Sequence, residues 1–140
     1  MDRSAIKEIL PHREPMLLID ETELVDGEAV SSYTVRGDEF FLQGHFPGKP
    51  LVPGVILCEM MAQSSCLLVS EGNGGAKFTP YFTGLKGIRF RKTVKPGDTI
   101  VFKSRVTAQK GAFYFIKSEG RVGGEICIDG EFSFAAAREG

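Results

Sequence analysis

The sequence predicts an α+β fold in which one long, buried helix is accompanied by about six strands. Residues 55–69 are mostly apolar, contain no proline or glycine and are too many for an ordinary strand, so they indicate a helix. After residue 77, runs rich in β-branched and aromatic residues alternate with short glycine-containing turns, which is typical of consecutive strands. A chain of 140 residues with 42% hydrophobic residues can bury one core, so we expect one domain over residues 1–140.

The elements before the long helix are expected to be short. Ser4 could cap the first helix and Pro11 would stop it, because proline does not continue a helix. The dipeptide Asp26-Gly27 favours a two-residue hairpin turn between two strands. The elements predicted in this part of the chain are a helix at residues 5–10, strands at 16–25 and 28–36, and a short helix at 38–43.

A rigid loop is expected directly before the long helix. Six glycines and prolines fall within the eleven residues 44–54, where glycine permits unusual dihedral angles and proline fixes φ. His45 lies in this loop, where it could equally be an ordinary loop histidine, and Pro53 suits the first turn of the helix. The backbone N–H of Gly54 would be an unsatisfied donor at the helix start, which can hold a developing oxyanion.

The long helix is predicted over residues 53–70, and its largely apolar circumference indicates burial. Its only charge is Glu59, and Gln63 follows one turn later, where its amide could hydrogen-bond the carboxylate. A carboxylate on a buried helix is costly unless it is paired, so Glu59 is either structural or an acid that does chemistry. A histidine and a carboxylate in a largely dry site form a general acid/base pair, which makes His45 and Glu59 the candidate catalytic residues.

Four further strands are expected after the helix. A flexible connection at residues 71–75 leads into them, and the glycine pair at residues 123–124 marks one of the turns. The predicted strands occupy residues 78–92, 99–109, 112–122 and 125–136.

Charge is unevenly distributed, although the formal net charge is only −1. Residues 77–110 carry nine basic side chains against Asp98 alone, whereas residues 1–60 carry eleven acidic and five basic ones. Arg89 and Arg91 alternate with apolar residues and would share one sheet face. Such a basic surface attracts an acidic partner, although a solvated strand face explains it equally well. No recognised nucleic-acid-binding motif accompanies the charge, so nucleic acid is not an expected partner.

Composition favours a protein of a reducing compartment without a metal or other cofactor. The three cysteines are odd in number and lie in apolar contexts, which favours buried free thiols over disulfides. Two histidines without a Cys-x-x-Cys motif make a metal site improbable. No signal peptide is recognisable, and residues 55–69 are too few to span a bilayer, so we expect a cytoplasmic protein without a membrane segment.

Several motifs follow one another along most of the 140 residues. The central motif is His45-Phe46-Pro47-Gly48-x-Pro50-x-x-Pro53-Gly54-Val55, followed by Glu59-x-x-Ala62-Gln63. The others are Leu10-Pro11-His12-Arg13-x-Pro15, Phe40-Phe41-Leu42-Gln43-Gly44 and Arg89-Phe90-Arg91-Lys92-x-Val94-x-Pro96-Gly97-Asp98. In these motifs the chain resembles the β-hydroxyacyl-acyl carrier protein dehydratases of bacterial type II fatty-acid synthesis.

The resemblance implies a hotdog fold, in which a curved antiparallel sheet wraps a long central helix. It implies a hydro-lyase that reversibly converts (3R)-3-hydroxyacyl-acyl carrier protein to the trans-2-enoyl thioester during fatty-acid elongation. His45 and Glu59 would be the catalytic pair, facing each other across a homodimer whose active sites are shared. Gly54 would bind the thioester carbonyl, Gln63 would orient Glu59, and Phe46 would contact substrate. The dimers would assemble further into a trimer of dimers.

The resemblance also implies a binding partner for the basic residues within 77–110. Arg89, Arg91 and Lys92 would dock the acidic acyl carrier protein, which carries the acyl chain on phosphopantetheine. His12 and Arg13, by contrast, are interpreted as structural residues.

Alternatives within the fold stay open at this point. A hotdog thioesterase would use a carboxylate to activate water, and a non-catalytic acyl-binding hotdog would be expected to lose His45 or Glu59. The related dehydratase that also isomerises the double bond carries aspartate where this chain has Glu59, so Glu59 favours the plain dehydratase. Met60 departs from the alanine usual after this glutamate, and its bulk could reshape the pocket.

Overall fold

The computed structural model describes residues 1–138, and its largest element is one antiparallel sheet of six strands. Neighbouring strands follow the order β1-β2-β4-β5-β6-β3, so β1 and β3 lie at the two edges. The predicted α+β class, with a central helical region against a six-stranded sheet, is confirmed. The strands are β1 Glu21–Val25, β2 Glu28–Thr34, β3 Phe78–Phe90, β4 Thr99–Lys110, β5 Phe113–Val122 and β6 Glu125–Arg138.

The central helical region is divided in two, whereas the sequence predicted one helix over residues 53–70. Helix α2 spans Gly54–Ser64 and helix α3 spans Cys66–Gly72, with Ser65 between them. The Ser64 and Ser65 hydroxyls donate to the carbonyl oxygens of Met61 and Ala62, three residues earlier. Serine side chains that hydrogen-bond back to the preceding turn compete with the regular helix and bend it.

The core lies between α2 and the inner face of strands β2, β4 and β5. Side chains of β2 and of the first halves of β4 and β5 alternate between more and less buried positions, as a sheet covered on one side requires. Met60 and Met61 are fully buried under the sheet, so the bulk of Met60 fills the core. The alternation predicted the strands well, since β3 to β6 agree with the expected bounds within two residues.

The N-terminal elements are shorter than predicted. Helix α1 spans Arg3–Ile6 rather than residues 5–10, and Asp2 rather than Ser4 caps it by accepting from the Ala5 N–H. Strand β1 begins at Glu21 rather than at residue 16, because the backbone of residues 16–18 is hydrogen-bonded to a side chain of α2 instead of to a strand. The helix expected at residues 38–43 is a single 3-10 turn, Phe40–Leu42.

The predicted hairpin turn is present between β1 and β2. Asp26 and Gly27 both have positive φ, 51° and 81°, as a tight turn whose twist matches the flanking strands requires.

The helical stretch Gly54–Gly72 has 19 residues, more than the run 55–69 considered in the sequence, and is apolar enough to cross a bilayer by length and composition alone. However, 56% of that stretch is buried inside the fold, which is how the core helix of a globular domain behaves. The three cysteines are free and buried, as the sequence predicted.

Candidate active site

Glu59 projects from the middle of α2 into a narrow cleft. Its side chain is 24% exposed, and its Oε2 accepts a hydrogen bond of 2.9 Å from Gln63 Nε2, one helical turn later. The contact expected between these two residues is therefore present. Phe82 and Phe134 contribute apolar walls to the cleft.

Gln63 ties this carboxylate to the N-terminal segment. Its Oε1 accepts from the Leu18 N–H at 2.8 Å, and its Nε2 donates to the Met16 carbonyl oxygen at 2.8 Å as well as to Glu59. Gln63 is only 3% exposed, so these hydrogen bonds fix its rotamer. The orientation of Glu59 thus depends on residues more than 40 positions away in the sequence.

His12 also contacts Glu59, which the sequence interpretation of His12 as a purely structural residue did not foresee. Its Nε2 lies 3.4 Å from Glu59 Oε2, and both side chains line the same cleft. Arg13, in contrast, donates to the carbonyl oxygens of Leu10, His12 and Lys7, which is the structural role expected of it. No pattern in the sequence predicted the contact of His12 with Glu59, because the two residues are far apart in the chain and only the fold brings them together.

His45 lies in the loop before α2, and backbone hydrogen bonds close that loop. Its Nδ1 is 2.9 Å from the Leu51 carbonyl oxygen, and its ring stacks on Phe46 with ring centroids 4.0 Å apart. The Leu51 N–H in turn donates to the His45 carbonyl oxygen at 2.9 Å. Because a carbonyl oxygen can only accept, Nδ1 carries the proton and the lone pair of the neutral ring is on Nε2. The loop therefore presents His45 as a base.

Gly54 is the first residue of α2 and lines the same cleft as His45. A Cβ at this position would lie 2.9 Å from Cε1 of Phe90, so the absence of a side chain lets the ring lie close to the helix start. Backbone N–H groups in the first turn of a helix have no intrahelical partner and face the positive end of its dipole. Gly54 and His45 are thus brought together at one cleft, in an arrangement able to hold an oxyanion beside a base.

Within one protomer, the two candidate catalytic residues open into different clefts. One contains His45, Gly54 and Phe90, and the other contains Glu59, Gln63 and Phe82. Strand β3 borders both, with Phe82 near its start and Phe90 at its end. It is also an edge strand with exposed apolar side chains: Tyr81 is 59% exposed, Leu85 53% and Phe90 54%.

The basic residues predicted to dock a partner lie beside the His45 cleft. Arg91 and Lys92 line it, while Arg89 is at the end of β3, after an irregularity in its pairing with β6. Arg91 forms an ion pair with Asp129 at 2.9 Å, and Lys92 one with Glu125 at 3.2 Å. Carboxylates therefore offset part of the positive charge that the sequence predicted here.

Cys58, next to Glu59 in α2, is buried with 6% of its surface exposed. Burial, with a further contribution from the charge of Glu59, raises the pKa of the Cys58 thiol. A thiol whose pKa is raised stays protonated near neutral pH and reacts slowly.

Comparisons with known proteins give matches over most of the chain. A family described as the FabA-like domain matches residues 10–131. The chain is 39% identical over 136 residues to the 3-hydroxyacyl-[acyl-carrier-protein] dehydratase FabZ of Clostridium perfringens, covering 96% of this chain and 98% of that protein. It is 38% identical over 139 residues to the FabZ of Bacillus velezensis, covering 96% of this chain and 97% of that one.

Among solved structures, a chain of the dehydratase heterocomplex ApeI:P from Xenorhabdus doucetiae has a similar fold. The TM-score is 0.81 at 20% identity, and the match covers 96% of this chain and 91% of that one. At that identity the likeness establishes a shared hotdog fold.

Proposed function

The chain belongs to the FabA-like domain family, and from this premise we infer that it is a 3-hydroxyacyl-[acyl-carrier-protein] dehydratase of fatty-acid synthesis. We propose further that it acts on (3R)-3-hydroxyacyl chains by acid–base catalysis, with His45 as base and Glu59 as acid. The observation that carries this assignment is the hydrogen bond from His45 Nδ1 to the Leu51 carbonyl oxygen, which leaves Nε2 free to accept a proton.

In the proposed reaction, His45 Nε2 removes a proton from C2 of the substrate, which the neighbouring thioester makes acidic. The electrons of that C–H bond move toward the thioester carbonyl, and the Gly54 N–H stabilises the negative charge on its oxygen. Glu59, in its protonated form, then gives its proton to the C3 hydroxyl, which leaves as water as the trans-2 double bond forms. The proton that His45 has taken from C2 passes to Glu59 before the next turnover. Both side chains are then in their starting protonation states, and the net reaction is the loss of one water from the substrate.

We propose that each active site is shared between two protomers, because His45 and Glu59 open into different clefts of one chain. If β3 pairs with its copy in an antiparallel dimer, the start of one strand opposes the end of the other. Phe82 would then approach Phe90 of the copy, and the Glu59 cleft would meet the His45 cleft. The exposed apolar side chains of β3 support this interface, since an uncovered apolar edge is unfavourable in water.

Phe46, stacked on His45, would contact the bound substrate. Arg89, Arg91 and Lys92, beside the His45 cleft, would receive the acidic carrier protein so that its phosphopantetheine arm enters the site. Assembly of the dimers into a trimer of dimers and a cytoplasmic location complete the proposal.

A direct test gives the purified protein a trans-2-enoyl-acyl carrier protein and follows the products by mass spectrometry. Gain of one water with the thioester intact is the expected result. Release of free fatty acid would make the protein a thioesterase, and binding without turnover would make it an acyl-binding module.

Variants then test the residues. His45→Ala and Glu59→Gln should each lower turnover by about 10²–10⁴-fold, to a small residual rate, while leaving the thermal transition close to that of the parent. When the two inactive variants are mixed and allowed to exchange subunits, some dimers would contain one intact site, so activity should return. Mixed dimers that form without regaining activity would place each site within one protomer.

A further inference from the structure

Building on the proposed function, we propose that His12 is a positioning residue for the catalytic acid. It holds Oε2 of Glu59 from the side of the N-terminal segment, so that the other oxygen, Oε1, is the atom that transfers the proton. This assigns to His12 a part in the reaction that differs from those of His45 and Glu59.

The two oxygens of Glu59 have different surroundings. Oε2 faces two nitrogen atoms, Gln63 Nε2 at 2.9 Å and His12 Nε2 at 3.4 Å. Among residues 1–138, no group hydrogen-bonds Oε1. A carboxylate held at one oxygen by the Gln63 N–H, with the His12 ring nitrogen facing the same atom, keeps a fixed orientation, and its other oxygen is available to the substrate.

The ring of His12 is suited to donating rather than to accepting a proton. A carboxylate oxygen opposite Nε2 selects the tautomer with the proton on that nitrogen, because two facing lone pairs repel each other. The remaining lone pair is then on Nδ1, which is buried and has no hydrogen-bond partner within the described part of the chain. A lone pair enclosed in this way does not reach a substrate, so His12 is not a second base.

The backbone around His12 is itself held in place. The Arg13 guanidinium donates to the carbonyl oxygens of Leu10 and His12 at 3.0 and 2.7 Å, and to that of Lys7 at 3.2 Å. The His12 side chain is only 18% exposed, which limits its alternative rotamers. At 3.4 Å the contact with Glu59 is an ion-pair distance without hydrogen-bond geometry, and the proposed role requires it to tighten when substrate binds, as catalytic contacts commonly do.

The experiment compares His12→Leu with His12→Gln. Leucine removes the donor, whereas the amide nitrogen of glutamine can replace Nε2. General acid catalysis contributes about 10²–10⁴-fold, so partial misorientation of the acid in His12→Leu should lower kcat by about 10–100-fold with KM nearly unchanged. His12→Gln should restore most of kcat. Failure of glutamine to restore it, in a variant that folds normally, would overturn the positioning role.

A double-substitution cycle separates positioning from a structural contribution. If His12 acts through Glu59, then His12→Leu should change the residual rate of Glu59→Gln by less than about twofold, because interacting residues are not additive. An equal loss in both backgrounds would mean that His12 acts independently of Glu59, and the proposal would be wrong.

Glu14→Gln is the matched control, since Glu14 lies in the same segment but forms ion pairs with Arg3 and Lys7 instead of lining the cleft. It should leave kcat unchanged. The activities of the His12 and Glu59 variants also distinguish the positioning role of His12 from the proposed catalytic role of Glu59. Full activity of Glu59→Gln would refute the proposed mechanism, whereas an inactive Glu59→Gln beside a fully active His12→Leu would refute only the role of His12.

Discussion

Replacing Gln63 with methionine would remove the link between the catalytic helix and the N-terminal segment. Methionine has a similar length and flexibility, so it fills the same space without an amide. The change takes away the acceptor of the Leu18 N–H and the donor to the Met16 carbonyl oxygen and to Glu59.

The expected loss of stability depends on whether water can hydrogen-bond each group that Gln63 no longer contacts. Leu18 is 1% exposed, so its N–H is left unsatisfied at a cost of about 1–3 kcal/mol. Met16 and Glu59 are partly exposed, and loss of each of their hydrogen bonds costs about 0.5–1 kcal/mol, since water can take over. The sum, about 2–5 kcal/mol, corresponds to a fall in Tm of roughly 5–15 °C for a chain of this size.

Thermal unfolding followed by circular dichroism measures this fall, and the rate of enoyl hydration, assayed well below Tm, measures the effect on Glu59. We expect kcat to drop by about 10–100-fold, which is part of the roughly 10²–10⁴-fold that a correctly oriented general acid contributes. Gln109→Met is the control, because Gln109 is exposed and its amide donates to the Gly111 carbonyl oxygen at 3.4 Å and to the Tyr114 hydroxyl at 3.1 Å, so its loss leaves no buried backbone N–H without an acceptor. A Tm of Gln63→Met within 2 °C of that of the control, taken as roughly the effect of 1 kcal/mol or less, would refute the reasoning.

Three further predictions concern stability and reactivity. Hydrogen bonding to Lys7 lowers the pKa of Glu14 to about 2, so the contribution of Glu14 to stability is present above pH 4.5 and is lost as the pH falls toward 2. Glu14→Gln should therefore flatten the decline of Tm between pH 4.5 and 2. An unchanged slope of Tm against pH would exclude this contribution. Burial raises the pKa of the Cys66 thiol to about 12 and also raises the pKa of the Cys127 thiol. A thiol reagent at about pH 8 should therefore label the unfolded chain much faster than the native protein. Rapid labelling of the native protein would contradict the burial of these two thiols. A Cβ at Gly130 would lie 2.6 Å from Ile88 Cδ1 and 2.9 Å from Ile88 Cα, whereas a Cβ at Gly111 has no neighbour within 4 Å. Gly130→Ala should therefore lower the free energy of unfolding, measured by chemical denaturation, by about 1–3 kcal/mol more than Gly111→Ala does. Equal decreases in the two variants would refute the steric argument.

The strands after the central helix were predictable because local patterns determine them. Alternating burial and glycine-containing turns specified β3 to β6 within two residues of their observed bounds. The long apolar run likewise specified the central helical region, although not its division at Ser65. That division depends on where serine hydroxyls find acceptors, which periodicity does not reveal.

The N-terminal segment was predicted less well because its structure depends on distant partners. Residues 16–20 have the composition of a strand, yet Met16 and Leu18 bind the side chain of Gln63. The contact of His12 with Glu59 belongs to the same group of tertiary contacts. By contrast, the hydrogen bond between Glu59 and Gln63 was predictable, since both residues lie on one helix with a spacing of four.

These N-terminal contacts suggest why the acid and the base of the proposed site are supported so differently. Glu59 is held by groups from elsewhere in the fold, because a helix can aim a carboxylate but cannot alone supply the donors that fix it. His45 is held by its own loop, through the Leu51 carbonyl oxygen. The acid is therefore oriented by the tertiary structure of one protomer and the base by a local loop. In the dimer proposed above, pairing of the β3 edges would bring these two halves together, each with its catalytic side chain already oriented.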